Sequence, residues 1–148
     1  MSGPIRRRIA PRKNRLLAQV TESAAYLTEP LFESSDTYHI AINKVRGRKG
    51  DIEQATLKIR ASLDYLDEAY REWNQFIDTL EGEPLEAEMA QYQPVVEGES
   101  GLLDAITQGE DRVAELLSKV TECNEVLELI RQRGGPSVGS KTLAVASD

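Results

Sequence analysis

From Tyr38 to Leu80 one seam runs without a break through Tyr38, Ile42, Val45, Lys49, Ile52, Thr56, Ile59, Leu63, Leu66, Tyr70, Trp73, Ile77 and Leu80. Its steps alternate between four and three residues, and only Lys49 and Thr56 are not apolar. A period of about 3.5 residues marks one face of an α-helix; a strand would alternate every second residue. Sustained over about six heptads, it is a coiled-coil signature. It therefore restricts the chain to helical folds that cover a long stripe. Gly47 and Gly50 interrupt the early part. Each costs about 1 kcal/mol relative to alanine inside a helix, so the helix either runs through them or starts near Asp51. Sparse aromatics, at 5% of the chain, also argue against a sandwich or barrel.

Flanking segments supply the other layers. A first helix is expected from Pro11 or Arg12, because proline is tolerated in a first turn. Its apolar positions are Leu17, Val20, Ala24, Leu27 and Leu31, and Pro30 ends it. Glu33, Ser34, Ser35 and Asp36 form a connector, with Ser35 or Asp36 placed to cap the seam helix. Gly82, Glu83 and Pro84 make a turn into a third helix. That helix carries Leu85, Met89, Tyr92, Val96, Leu103, Ile106, Val113, Leu117, Val120 and Leu127. Pro94 and the stretch from Glu97 to Gly101 either kink it or split it into pieces at about 84–97 and 101–133.

The expected fold is all-α: an elongated antiparallel helical hairpin and three-helix bundle with coiled-coil character and disordered termini. Residues 1–11 read as a flexible basic arm, 12–133 as the helical domain and 134–148 as a disordered tail. Short connections make successive helices antiparallel. Folding about residue 82 brings Trp73 to Tyr92. It leaves Leu66, Tyr70, Trp73, Phe76 and Tyr92 near a thin two-helix tip, where they form a candidate self-association patch.

Charge is unevenly spread. The stretch RRRIAPRKNR holds six positive residues and no negative one in a chain of net −7, which leaves the remainder at −13. Such a split marks an interaction tail or a solvated one. Folding the first helix back about residue 33 sets Arg12, Lys13 and Arg15 beside residues 51–54. Arg6, Arg7, Arg8, Arg12, Lys13 and Arg15 would then gather with Lys44, Arg46, Arg48 and Lys49. A gathered basic patch contacts phosphate, without sequence preference and with strong salt sensitivity. No aromatic residue interleaves with either run, so base stacking is not indicated.

Catalytic chemistry finds little support. His39 is the only histidine and Cys123 the only cysteine, too few for a zinc site. His39 reads as a surface residue and Cys123 as a small apolar group beside the seam. The carboxylates Asp64, Asp67, Glu68 and Glu72 share one helix face and read as a solvated surface. Asn124 falls on the third seam, where a buried polar residue fixes register. GGPSVGSKT imitates a phosphate loop, but Ser140 separates Gly139 from Lys141 and the stretch follows a helix rather than a strand. No cofactor or metal is expected. No membrane span or secretory leader is apparent, so an intracellular, soluble protein is expected, cytoplasmic or nuclear.

The order of features resembles the N-terminal helical region of gag-like polyproteins from BEL/Pao-type retrotransposons. The basic start PRKNRLLAQVTESAAYL, the long helix with DIEQATLKIRASLDYLDEAYREW, and the acidic stretches YQPVVEGESGLLDAI and RVAELL carry the likeness over residues 9–130. The resemblance implies a structural or assembly role near nucleic acid without catalysis, and transfers no functional residue. The expected function is thus a non-enzymatic, gag-like assembly protein that self-associates through its seams and makes weak RNA or DNA contact. The alternative is a coiled-coil adaptor for a partner helix, with no nucleic-acid contact.

Overall fold

In a computed structural model, which describes residues 2–134, the chain is all-α. Its helices are α1 (Gly3–Ser23), α2 (Ala25–Thr28), α3 (Tyr38–Ile77), α4 (Gly82–Val96) and α5 (Leu102–Gly134). The tail expected to reach residue 148, with its GGPSVGSKT stretch, lies outside the described residues beyond Gly134. Among the described residues no helix is long and apolar enough to cross a membrane.

The seam is one helix of 40 residues. Gly47 and Gly50 stay inside it with open space around their α-carbons, so neither a break nor a close approach explains them. The cap is neither Ser35 nor Asp36: the first bond of α3 runs from the Ala41 N–H to the Thr37 carbonyl. Asp36 instead closes the connector. Its carboxylate accepts the Glu33 N–H at 2.7 Å, and its own N–H donates to the Glu33 carbonyl at 3.0 Å. The third helix is two pieces, α4 and α5. At the break a β-carbon on Gly98 would lie 2.4 Å from the Pro94 carbonyl oxygen, and one on Gly101 would lie 2.7 Å from that of Gly98. Only glycine fits such approaches. Ser100 takes a left-handed φ of 59°, and the Gly101 carbonyl accepts the first bond of α5.

The chain divides into two units. Met1–Glu22 with Leu57–Val113 form the first. Here α1 runs antiparallel to α3: Arg8 meets Glu72, Arg12 meets Glu68 and Gln19 meets Ser62. The expected fold-back point of residue 33 is corrected to residue 40, the midpoint of the Arg8–Glu72 and Arg12–Glu68 pairs. The non-helical connector between Thr28 and Tyr38 accounts for the direction of the shift, because extended backbone advances further per residue than the helix it runs beside. The arm over residues 1–11 is helical from Gly3, with Pro11 inside the helix. Burial drives this. Ile9 and Leu16 are enclosed, whereas the expected Leu17 is only half-buried.

α4 folds back on α3 as expected, with the Trp73 and Tyr92 rings edge to face at 5.0 Å. The indole N–H of Trp73 donates to Glu88 at 2.6 Å, and the Tyr92 hydroxyl donates to Asn74 at 2.7 Å. Each buried polar tip thus has a partner, as aromatic burial requires. Gly109 lets α5 press close, since a β-carbon there would lie 2.8 Å from Leu63 and 3.0 Å from Leu16. The thin two-helix tip is consequently not bare: α1 and α5 cover it.

Ser23–Thr56 with Ala114–Asp148 form the second unit. Its described core is mainly aliphatic: Leu31, Ile42, Val45, Ile52, Leu116, Leu127 and Ile130, with Tyr38 and Cys123. The α5 seam is only partly the expected one. Val113 and Leu127 are buried as expected and Ile106 and Val120 are half-buried, but Leu102, Ala105, Leu116 and Cys123 are buried too, while Leu103 and Leu117 are exposed. Over the 33 residues of α5 the inward face of a helix of 3.6 residues per turn drifts from a strict count of three and four. Asn124 accordingly turns outward and Cys123 takes the interior place; burial pushes the Cys123 thiol pKa up.

Candidate nucleic-acid interface

The arm does not lie beside residues 51–54 as expected: Arg12 meets Tyr65 and Glu68 and Arg8 meets Glu72, which corrects the register on which the gathered patch rested. In the first unit most arm cations are engaged within the fold. Arg8 forms a two-pronged pair with Glu72 at 2.6 and 3.1 Å. The pair raises the Arg8 pKa and lowers that of Glu72, in both cases mainly through the hydrogen bond between them. Arg12 donates to the Tyr65 carbonyl at 2.6 Å and to Glu68 at 3.0 Å. Lys13 donates to the Ser100 carbonyl at 2.9 Å, beside the α4–α5 break. Arg6 donates to the Ser2 hydroxyl, and Arg7 reaches back to the Gly3 carbonyl. The carboxylates of α3 read as a solvated face are thus partly a landing strip for α1. Among the described residues no group of three or more potential ligands could hold a metal ion.

Of the proposed self-association residues, Leu66, Trp73 and Tyr92 are buried inside the first unit, and Tyr70 and Phe76 are half-buried. Burial, followed by the neighbouring Tyr70, raises the Tyr92 pKa well above the usual tyrosine range. Leu66, Trp73 and Tyr92 are thereby corrected from patch to core, with the Tyr92 ring against those of Trp73 and Tyr70.

In the second unit, Lys44 pairs with Asp36 at 2.9 Å and Arg48 with Glu29 at 3.0 Å. The Glu33 N–H, and then Lys44, lower the Asp36 pKa. Arg46 and Lys49 are different. They lie on the side of α3 that faces the last turns of α5, where they line a shallow groove of about 410 Å³ with Gly50, Glu53, Asn124, Leu127 and Arg131. Antiparallel packing of α3 and α5 brings these residues together. Among the described residues no ion pair holds Arg46, Lys49 or Arg131. Three cations face one carboxylate, Glu53, so the groove is net positive. Arg131 was absent from the expected set. Its signal was its place in the last turn of α5, where a cation complements the helix dipole, a placement that reads as local stabilisation.

No family model, no curated protein and no solved structure matches this chain.

Proposed function

We propose that this chain is a non-enzymatic helical protein that holds the backbone of a single-stranded nucleic acid on the groove of Arg46, Lys49 and Arg131. The observation that carries the reading is the contrast in pairing. Most cations of the arm, and Lys44 and Arg48 of α3, are hydrogen-bonded or ion-paired within the fold, whereas these three stand together with neither an ion pair nor a side-chain hydrogen bond among the described residues. Clustered, unpaired cations bind phosphate because each contact releases a condensed counterion. The Asn124 amide adds a neutral donor at the groove wall. This function is in keeping with the gag-like order of elements. Copies bound along one strand are held near one another by the strand, which replaces contacts through the buried Leu66, Trp73 and Tyr92. An intracellular site of action goes with that role.

The test is binding of labelled single-stranded RNA to the wild-type chain and to the triple variant Arg46→Glu, Lys49→Glu, Arg131→Glu over a salt series. The wild type should lose affinity with a slope of about −2 in log K against log salt, as roughly three phosphate contacts to a single strand give. The variant should lose both the affinity and most of the slope. Equal binding by the two proteins would remove the groove from the function.

A further inference from the structure

The sequence places no aromatic residue within either basic run, yet packing puts one beside the first. Because α1 lies antiparallel to α3, Arg12 and Arg15 flank Tyr65, which is 53% exposed. A pocket of about 220 Å³ opens there, lined by Pro11, Arg12, Arg15, Ser62 and Tyr65. The Arg12 guanidinium lies 5.3 Å from the Tyr65 ring centroid. It is fixed by the Tyr65 carbonyl and Glu68, so its charge is balanced and its plane stiffens the pocket. The Ser62 hydroxyl donates to Gln19 and closes the floor.

Two cations near this ring have no such balance. Arg15 lines the pocket and has no ion pair among the described residues. Lys58 is exposed two helical turns before Tyr65, about 10 Å along α3 and on the same side. An exposed tyrosine with cations near it that are not ion-paired is the combination that stacking platforms for single strands use: the ring takes the base and the cations take the phosphates. Of the polar groups that line the pocket, Arg12 and Ser62 already donate within the fold, which leaves the ring face rather than a set of donors to meet the base.

We infer that the first unit stacks one base of a single-stranded nucleic acid on Tyr65, with the flanking phosphates on Arg15 and Lys58. This rests on the nucleic-acid reading above but uses different residues in a different unit. It adds dependence on unpaired bases, which the second unit's groove does not require.

The experiment compares a short labelled single-stranded RNA with an abasic strand of equal length and charge. Each is titrated against the wild type, Tyr65→Ala, Tyr65→Phe and the triple groove variant, with the helical circular-dichroism signal confirming that each is folded. Tyr65→Ala should weaken RNA binding by about 5- to 150-fold, the usual range for loss of one stacked base. It should leave abasic binding unchanged, and Tyr65→Phe should bind RNA like the wild type. The inference fails if Tyr65→Ala binds RNA normally, if it loses both ligands equally, if Tyr65→Phe is as weak as Tyr65→Ala, or if the wild type binds no RNA. Failure of the groove reading looks different: the triple variant then binds the abasic strand as the wild type does, while the base-dependent loss at Tyr65 can still be measured.

Discussion

The basic runs Arg6–Arg15 and Lys44–Lys49 look alike in sequence and fare differently in the fold. The first sits on a helix that buries Ile9 and Leu16, and its Arg8 and Arg12 are drawn onto carboxylates of α3. The second sits in the first third of α3, where Lys44 and Arg48 find Asp36 and Glu29 but Arg46 and Lys49 line the groove toward α5. Charge density therefore does not identify a binding surface. In the proposed function the surface is set by the cations that the fold leaves without a partner, and that depends on which acceptors the packing brings within reach.

The widest predicted gap between the two runs is in stability. Ile9→Ala should destabilise the protein by about 2–5 kcal/mol, as truncation of a buried isoleucine does. Arg46→Ala, on the surface of the other run, should stay within about 0.5 kcal/mol of the wild type. Equilibrium denaturation of both variants measures the contrast. An Ile9→Ala cost near zero would return the first run to a free arm. A smaller effect sharpens the second run. Gly47 lies within it, in open space on a continuous helix, so Gly47→Ala should raise stability by about 1 kcal/mol in the same denaturation assay. A loss of stability would mean that the helix needs a bend there. The smallest effect concerns the ion pairs of the first run. Arg8 holds the Glu72 carboxyl below its ordinary pKa. A carboxylate of this kind adds stability above its unfolded pKa, and that stability is lost as pH falls through the lowered folded value. The wild type should therefore lose an increment in acid, below the ordinary carboxylate range, that Glu72→Gln lacks at every pH. Melting temperature against pH for the two proteins reads that difference.

Legibility followed the length of the signal. All thirteen positions of the seam from Tyr38 to Leu80 are buried or half-buried. A period sustained over so many turns leaves one face to cover, whatever covers it. The first and third helices carried shorter signals and came out partly shifted: Val20, Tyr92, Val96, Val113 and Leu127 are interior as expected, whereas Leu17, Leu103 and Leu117 are not. Leu16 rather than Leu17 is interior because α1 starts at Gly3 and takes its phase from docking on α3. Leu102 rather than Leu103 is interior because Gly98 and Gly101 end one helix and start another. Of the candidate interface, Arg46 and Lys49 were in view from the sequence. Arg15 was in view as well, but Arg131 and the place of Tyr65 beside Arg15 were not, since they depend on contacts between residues tens of positions apart.

The sequence by itself determined that the chain is helical, where its long seam lies, and that a turn near Gly82 folds α4 back on α3. These follow from local periodicity and from glycine and proline chemistry, which act within a few residues. The tertiary structure alone decided that the arm is a helix, which cations are balanced, and that a tyrosine of α3 stands beside the arginines of α1. Ion pairing and burial fall off over a few ångströms in space with no regard to distance along the chain, so only the folded arrangement determines them.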